Sequence, residues 1–394
     1  MEKEKILQSF QDFLKEYDYL AKDEIWSEQS TAFKTFWNQQ ILNDQVTELN
    51  DADIDNIIRL IDRHARGNTH QNEAIARILI PQGVWRKMFN QVKEDKNLSG
   101  MLDQIMGTFD EDKRTKLINE LYKYNDPFKN SLTGKKANAL NAFLFLWAPT
   151  KNVSIVSLSD RQRLIQFFGF EGGPDFDKDA PGEKIVKSNK ALISGFSSYF
   201  GSQYSPRTIC VFLYHSSVIE QWRAEDIGEE PANGWSPKAT SEYQEHIAPE
   251  PTHTSENHSL FYMESQLEDF IIENWDKTEF GQKYDLIEED GEVVSQQYKI
   301  DIGRIDILAQ DKKTQQLVVI ELKKNQTSDD TVGQLARYMG WLEEHKTNSK
   351  PTKGIIIAAQ YDTRLYYALK KLPGTEIYLY RVDFRLEEFK ENYS

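Results

Sequence analysis

One cysteine, Cys210, is all the thiol chemistry available to this 394-residue chain. A single thiol excludes an internal disulfide and any cysteine-based zinc site within the chain, and it fits a reducing compartment. Long apolar runs are also missing. No stretch reaches the roughly 18–20 residues that a membrane-crossing helix needs. The opening Met1-Glu2-Lys3-Glu4-Lys5 leads into an amphipathic pattern, not a signal peptide, so the expected setting is cytoplasmic with no membrane partner. Positive charge is in deficit: 48 Lys and Arg stand against 63 Asp and Glu, a formal net charge of -15. That excludes a broadly basic nucleic-acid binder. It leaves room for a local basic groove, or for a site whose bound metal ion brings its own positive charge. The glycines of Gly172-Gly173 and Gly333 are too sparse for a phosphate loop. His246, His253 and His258 lack zinc-ligand spacing and read as solvated linker residues. There is no internal repeat and no long low-complexity tract.

What is present is ordinary for a globular protein, 39% hydrophobic and 28% charged, and long enough for two or three domains. From Glu2 to Trp147 apolar residues recur at helical spacing: Ile6, Phe10, Phe13 and Leu14, then Phe33, Phe36, Trp37 and Ile41, then Asp53–Arg63, Glu73–Ile80 and Lys113–Tyr124. Ala137–Trp147 is apolar almost all round and predicts a buried helix. Asn152–Leu158 reads as a short strand or extended connector. Asp160–Phe168 reads as a helix capped by Ser159, and Ile185–Phe200 and Thr208–Trp222 as further helices. Lys93, Lys96, Lys113 and Arg114 read as solvated helix faces, and Trp26, Trp37, Trp85 and Trp147 as core. The segment 226–258 has linker composition, with Pro231, Pro237, Pro249 and Pro251 among Glu, Ser and Thr. The expected organisation is a helical domain at 1–225, a linker at 226–258 and an α/β domain at 259–394. In the last of these a mixed central sheet is flanked by helices. A helix over Glu264–Asn274 leads, followed by the order β-β-α-β-α-β.

The first two of those strands carry the chemistry. Gly303-Arg304-Ile305-Asp306-Ile307-Leu308 and Leu317-Val318-Val319-Ile320-Glu321-Leu322-Lys323-Lys324 are separated by a short polar segment and predict a β-hairpin. With a turn at Lys312–Gln315, Asp306 stands opposite Glu321 and Ile307 opposite Ile320. One face is then apolar, and the other carries Asp306, Glu321 and Lys323. A one-residue slip would put Asp306 among the isoleucines, so the hydrophobic pattern favours the register that gathers the charges. Two carboxylates and a lysine on one sheet face suit a hard divalent cation.

A helix carboxylate, an Asp on one strand, Glu-x-Lys on the next and then a Gln-bearing helix resemble the PD-(D/E)XK nuclease core. More narrowly, Gly303–Asp306, Ile320–Lys324 and Val332-Gly333-Gln334-Leu335-Ala336-Arg337-Tyr338-Met339 resemble the catalytic domain of the NucS/EndoMS endonucleases over roughly Phe261–Phe389. The resemblance implies a restriction-endonuclease-like core, and a metal-dependent endonuclease cutting phosphodiester bonds in DNA, in restriction, anti-phage defence or repair. RNA is not excluded as a substrate. It also implies Mg²⁺ or Mn²⁺ held by Asp306, Glu321 and Glu264, with Glu268 as the rival helix carboxylate. Lys323 would hold or polarise the attacking water, and Gln334 would orient lysine, water or phosphate. Arg337 and Lys324 would contact the nucleic acid. Arg304 reads as a structural salt-bridge residue. The family's β-rich N-terminal domain has no counterpart here, so its dimerisation and mismatch recognition do not carry over. A homo-oligomer or a protein partner engaged through the helical domain stays open. Two other readings compete: a non-catalytic nucleic-acid-binding module that keeps the nuclease fold, and a helical protein-interaction scaffold.

Overall fold

The computed structural model describes residues 2–63, 65, 68, 72–78, 80–223, 266–326, 329–347, 350–360, 367 and 369–380. The chain divides into two compact units, Met1–Pro251 with Glu288–Val293, and Thr252–Ile287 with Val294–Ser394. The linker expected at 226–258 lies outside the described residues, and we keep it as the proposed boundary. No helix among the described residues is long and apolar enough to cross a membrane.

The first unit is helical. It runs through α1 (Glu2–Glu16), α2 (Tyr19–Phe36), α3 (Asp51–Ile61), α4 (Gln82–Glu94), α5 (Lys96–Gly107) and α6 (Glu111–Asn125). It continues through α7 (Asn138–Trp147), α8 (Leu158–Phe168), α9 (Pro181–Phe200), α10 (Pro206–Leu213) and α11 (Ser216–Trp222). Short polar side chains set the starts by accepting otherwise unpaired helix amides: Asn50 for α3, Asp95 for α5, Asp110 for α6 and Ser205 for α10. Gly169, at φ +66, stops α8. Every residue of α7 from Asn138 to Leu146 is buried, as its all-round apolar sequence predicts. Phe143 meets Phe33, Trp85 and Phe89 at ring-centroid distances of 5.6–6.3 Å, and Phe145 meets Trp26 at 5.2 Å. Trp26, Trp37 and Trp85 are therefore core, as expected. A second core gathers Phe10, Phe196, Phe200 and Phe212.

Several local expectations need correction. Among its described residues, Glu73–Ile80 is not helical but extended, with Ala76 bridging Asp62 in parallel. Buried Asp62 accepts from the Ile78 amide and the Trp85 indole, and Arg207 takes the carbonyls of Ala74 and Ile75. Those bonds replace the ones a helix would have supplied. Asn152–Leu158 is a connector without strand pairing. Helix α8 begins at Leu158, one residue before the anticipated cap Ser159. Thr208–Trp222 is two helices broken at Tyr214-His215, where the Tyr214 hydroxyl donates to Asp160 at 2.7 Å. Lys93 and Arg114 are not solvated: the Lys93 ammonium donates to the carbonyls of Gln40, Ile41 and Asn43, and Arg114 is 9% exposed.

The second unit is built on a mixed sheet. Residues 266–273 form a helix, α12, followed by α13 (Glu279–Lys283). The strands are β1 (Tyr284–Leu286), then β4 (Gln296–Ile300), β5 (Gly303–Asp311), β6 (Leu317–Gln326), β7 (Lys353–Gln360) and β8 (Thr375–Leu379). The two short intervening strands, β2 (Glu288–Glu289) and β3 (Glu292–Val293), pair with each other and group with the helical unit. The order across the sheet is β1-β5-β6-β7-β8, with β4 also pairing β5. β1 and β4 are additions to the expected order; their polar residues (Gln296, Gln297, Lys299) hide the alternation that marks a strand. β5 and β6 are antiparallel, and Ile307 pairs Ile320 in the anticipated register. β6 and β7 are parallel, joined through α14 (Asp329–His345), because a parallel pair requires a crossover. Leu335, Tyr338, Met339 and Leu342 fall on one face of α14 and pack on Leu308, Val319, Ile356 and Ala358. Gly354 makes room for this: a Cβ there would lie 2.8 Å from Met339 Sδ and 2.9 Å from Leu335 Cδ2. Of the helix expected at Arg364–Lys371, only Tyr367 and 369–371 are described, and Tyr367 and Leu369 are helical.

Candidate active site

The β5–β6 ladder runs to Ile307–Ile320. Past that pair the Asp306 side chain reaches across to β6: its Oδ2 accepts the Leu322 amide at 2.8 Å. That bond fixes the Asp306 carboxylate against β6. Between Lys323 and Gln326 the β6–β7 register shifts, an irregularity of the bulge kind just past the Glu-x-Lys segment. Glu321 is fully buried, and its Oε2 lies 3.8 Å from the Lys323 ammonium, whose side chain is 26% exposed. Strand periodicity puts residues 321 and 323 on one face, and the pair is realised as the sequence predicts.

A third carboxylate joins from α12. Glu268 is 4% exposed. Gln297 Nε2 donates to Glu268 Oε2 at 2.7 Å and lies 3.5 Å from Asp306 Oδ1, so one amide nitrogen links the two acids. The β4–β5 register places Gln297 across from Asp306. Its backbone sits at φ +52, a conformation that non-glycine residues rarely adopt. Next to it, Gln296 donates to buried Asp269 at 2.6 Å. Burial first, and then the Asp306 charge, push the Glu268 carboxyl up to about 8, against the opposing hydrogen bond from Gln297. Glu268 Oε1 is buried and has no hydrogen-bond partner among the described residues.

Glu264, named with Glu268 as a helix carboxylate, lies outside the described residues, as does the side chain of Lys324. Gln334 is half-buried on α14 and donates to the Tyr338 hydroxyl at 3.2 Å. Arg337 is exposed on the same helix. Arg304 is exposed on β5 and forms no ion pair among the described residues. Gln297 and Tyr338 were not singled out for roles by the sequence. Gln297 gives no sequence signal, since its importance rests on register and a left-handed backbone. Tyr338 does give one: it follows Gln334 by four residues, so the two share a helix face.

No group of three or more His, Cys, Asp or Glu among the described residues is arranged to hold a metal ion as it stands. The donor chemistry nonetheless fits a hard cation: oxygen donors only, two acids tied by one amide, and a buried oxygen with no partner.

Residues 263–375 match the family model of the Endonuclease NucS C-terminal domain. The chain is 33% identical over 87 residues to Endonuclease NucS of Methanocaldococcus jannaschii, a match covering 22% of this chain and 32% of that protein. The chain thus spans about a third of the length of the curated relative it matches. A crystal structure of a repair endonuclease from Pyrococcus abyssi aligns at 22% identity and a TM-score of 0.25, over 33% of this chain and 49% of that one. A structure of an EndoMS–dsDNA complex aligns at 21% identity and a TM-score of 0.26, over 31% and 46%. The C-terminal unit resembles the catalytic domain of NucS-type endonucleases in the motifs and order of elements read from its sequence.

Proposed function

We propose that the second unit hydrolyses phosphodiester bonds in DNA, with Mg²⁺ or Mn²⁺ as cofactor. The observation that carries this reading is the link between Glu268 and Asp306 through Gln297, with Asp306 held to the Leu322 amide between Glu321 and Lys323. Buried like charges destabilise a fold unless a cation offsets them. Asp306, Glu321 and Glu268 would hold the ion. When bound, it supplies Lewis-acid activation of water and offsets charge gathering on the scissile phosphate.

The chain's own groups do the rest. The Leu322 amide and Gln297 hold Asp306 so that its carboxylate is oriented before substrate arrives. Lys323 sits at the exposed edge of the cluster, where its ammonium can donate to the attacking water or to a phosphate oxygen. Gln334, steadied by Tyr338, orients the phosphate from α14, and Arg337 on the same exposed helix edge meets the backbone. The helical unit would select the substrate or a partner, and restriction, anti-phage defence and repair are the settings such an architecture suits.

The test is incubation of the full chain with Mg²⁺ or Mn²⁺ and linear, nicked, branched, mismatched and single-stranded DNA, plus RNA. Cleavage of at least one DNA by wild type, lost in Glu321→Gln, is the expected result. Equal cutting by the variant would show that the activity comes from elsewhere.

A further inference from the structure

A cavity of about 320 Å³ lies within the helical unit, between α6, α7, α8 and α9. Its volume is at the lower end of the roughly 300–1,000 Å³ typical of small-molecule sites. Its polar lining is unusual. Arg114 is 9% exposed, and its Nε and Nη2 are buried with no hydrogen-bond partner among the described residues. The face of Phe109 lies 5.1 Å from its guanidinium carbon. Glu111, on the same helix, pairs instead with Lys190 at 2.8 Å. Arg161, 1% exposed, also lines the cavity and forms no ion pair among the described residues; it donates to the carbonyls of Ile155 and Ile185 and to the Ser188 hydroxyl. Asn141 adds a buried Oδ1 with no partner. Two guanidinium groups thus line one mixed polar and apolar cavity whose one lining carboxylate, Glu111, is paired with Lys190 and not with either of them, and burying such charges unpaired is strongly unfavourable.

We propose that this cavity binds a small organic phosphate of about mononucleotide size. Its phosphate is turned toward Arg114 and Arg161, its planar or apolar body lies against Phe109, Leu144 and Ile193, and it donates a hydrogen bond to Asn141. Arginine forks match phosphate oxygens in a bidentate way. Exposed Lys151 at the cavity edge adds attraction. Phe109, 57% exposed, is placed to stack on a planar group. The inference stands apart from the nuclease reading, since it uses no residue of the second unit.

Thermal unfolding of the full chain tests it. The probes are the nucleoside 5′-monophosphates and ribose 5-phosphate at millimolar concentration, against the parent nucleosides and inorganic phosphate. At least one organic phosphate should raise the unfolding midpoint by roughly 5 °C or more near saturation, while the nucleosides give no shift and inorganic phosphate a smaller one. Arg114→Met should lose the shift while unfolding no earlier than wild type without ligand, because a chain of similar length replaces an unpaired buried charge. Lys151→Glu, at an exposed position, should weaken binding about tenfold with the fold intact. No shift with any probe overturns the proposal. So does a shift that both variants keep, or one that inorganic phosphate reproduces in full.

Discussion

The two units of this chain handle buried charge in different ways. In the helical unit the buried ions include three arginines, Arg114, Arg161 and Arg207, and the last two are wired to backbone. Arg207 takes the carbonyls of Ala74 and Ile75 and the Ser154 hydroxyl, with Glu73 at 3.7 Å; Arg161 takes those of Ile155 and Ile185. Burial pulls the Arg161 guanidinium down to about 9, which still leaves it charged at neutral pH. In the sheet unit the buried ions are carboxylates, Glu268, Asp269 and Glu321, with half-buried Asp306 linked to Glu268 through Gln297 and the largely covered Lys323 beside Glu321. A cation on carbonyls staples loops that have no regular structure of their own. Neighbouring carboxylates repel one another and stabilise nothing by themselves. Buried charge wired to backbone, as at Arg207, reads as architecture, while the acids of the second unit are the groups on which the proposed chemistry rests.

The comparison breaks most visibly if the acids prove structural. Asp306→Asn keeps the acceptor for the Leu322 amide but removes the charge. Cleavage should fall by on the order of 10³-fold, about 4 kcal/mol at the transition state. The unfolding midpoint in chelator should hold or rise. Rates on the best DNA substrate and thermal unfolding in parallel check both halves; a variant within tenfold of wild type in rate would remove Asp306 from the machinery.

The opposite outcome is expected for Arg207→Met in the helical unit. The loss strands two buried carbonyls and weakens the hold on Glu73. Roughly 3 kcal/mol of stability should go, read as a drop of several degrees in the midpoint, while cleavage at temperatures where the protein stays folded is unchanged. A loss below about 1 kcal/mol would mean that the staple is ornamental.

Why one half of this contrast was legible in the sequence and the other was not has a physical answer. Register in a hairpin follows from alternation, so Asp306, Glu321 and Lys323 could be placed on one face from the pattern of Ile305, Ile307, Ile320 and Leu322. The helix α14 announced itself through Leu335, Met339 and Leu342. Alternation says nothing of a residue whose role comes from an exceptional backbone, and Gln297 at φ +52 is such a residue. Nor does helical spacing show where a helix fails. Ile75, Ile78 and Ile80 are spaced as if on a helix, yet Arg207, far along the chain, claims the local carbonyls. The same limit hid Arg114, which looks like any solvated helix cation until the helices around it are packed.

A pH series sharpens the contrast next. The Glu268 carboxyl stands near 8 in the folded state, above its ordinary value of 4.5. The folded chain therefore holds a proton that the unfolded chain releases. Without metal, this group makes stability fall as pH rises from about 4.5 to about 8, and the loss levels off above that. Glu268→Gln should flatten that slope, with a gain of roughly a few kcal/mol at pH 8 and little at pH 4.5. Hydrogen exchange of β5 and β6 amides in chelator at pH 5 and pH 8 reads the sheet unit alone. Identical slopes in variant and wild type would place the proton uptake on another group. Arg207→Met, by contrast, should leave the slope between pH 5 and 8 as it was.

The smallest effect expected lies where α14 crosses the start of β5. Gly303 adopts φ +149, and a Cβ there would stand 2.5 Å from the Tyr338 hydroxyl and 3.2 Å from its ring. Two separable penalties follow for Gly303→Ala, a backbone conformation that L side chains resist and a clash with the tyrosine tip. Together they should cost about 1–3 kcal/mol, and moving the tyrosine should loosen Gln334, which donates to it. Adding Tyr338→Phe removes only the hydroxyl. Alone it should cost about 1 kcal/mol by stranding the Gln334 amide. In the double variant part of the alanine penalty should vanish, because the closest contact is gone, while the ring contact and the backbone strain remain. A double-mutant cycle on stability gives the coupling directly. A coupling of about 0.5 kcal/mol or more ties Tyr338 to the strand that carries Asp306. Strict additivity would mean that the glycine is there for its dihedral angle alone, and that the path from α14 to the acids runs through Gln334 by some other contact.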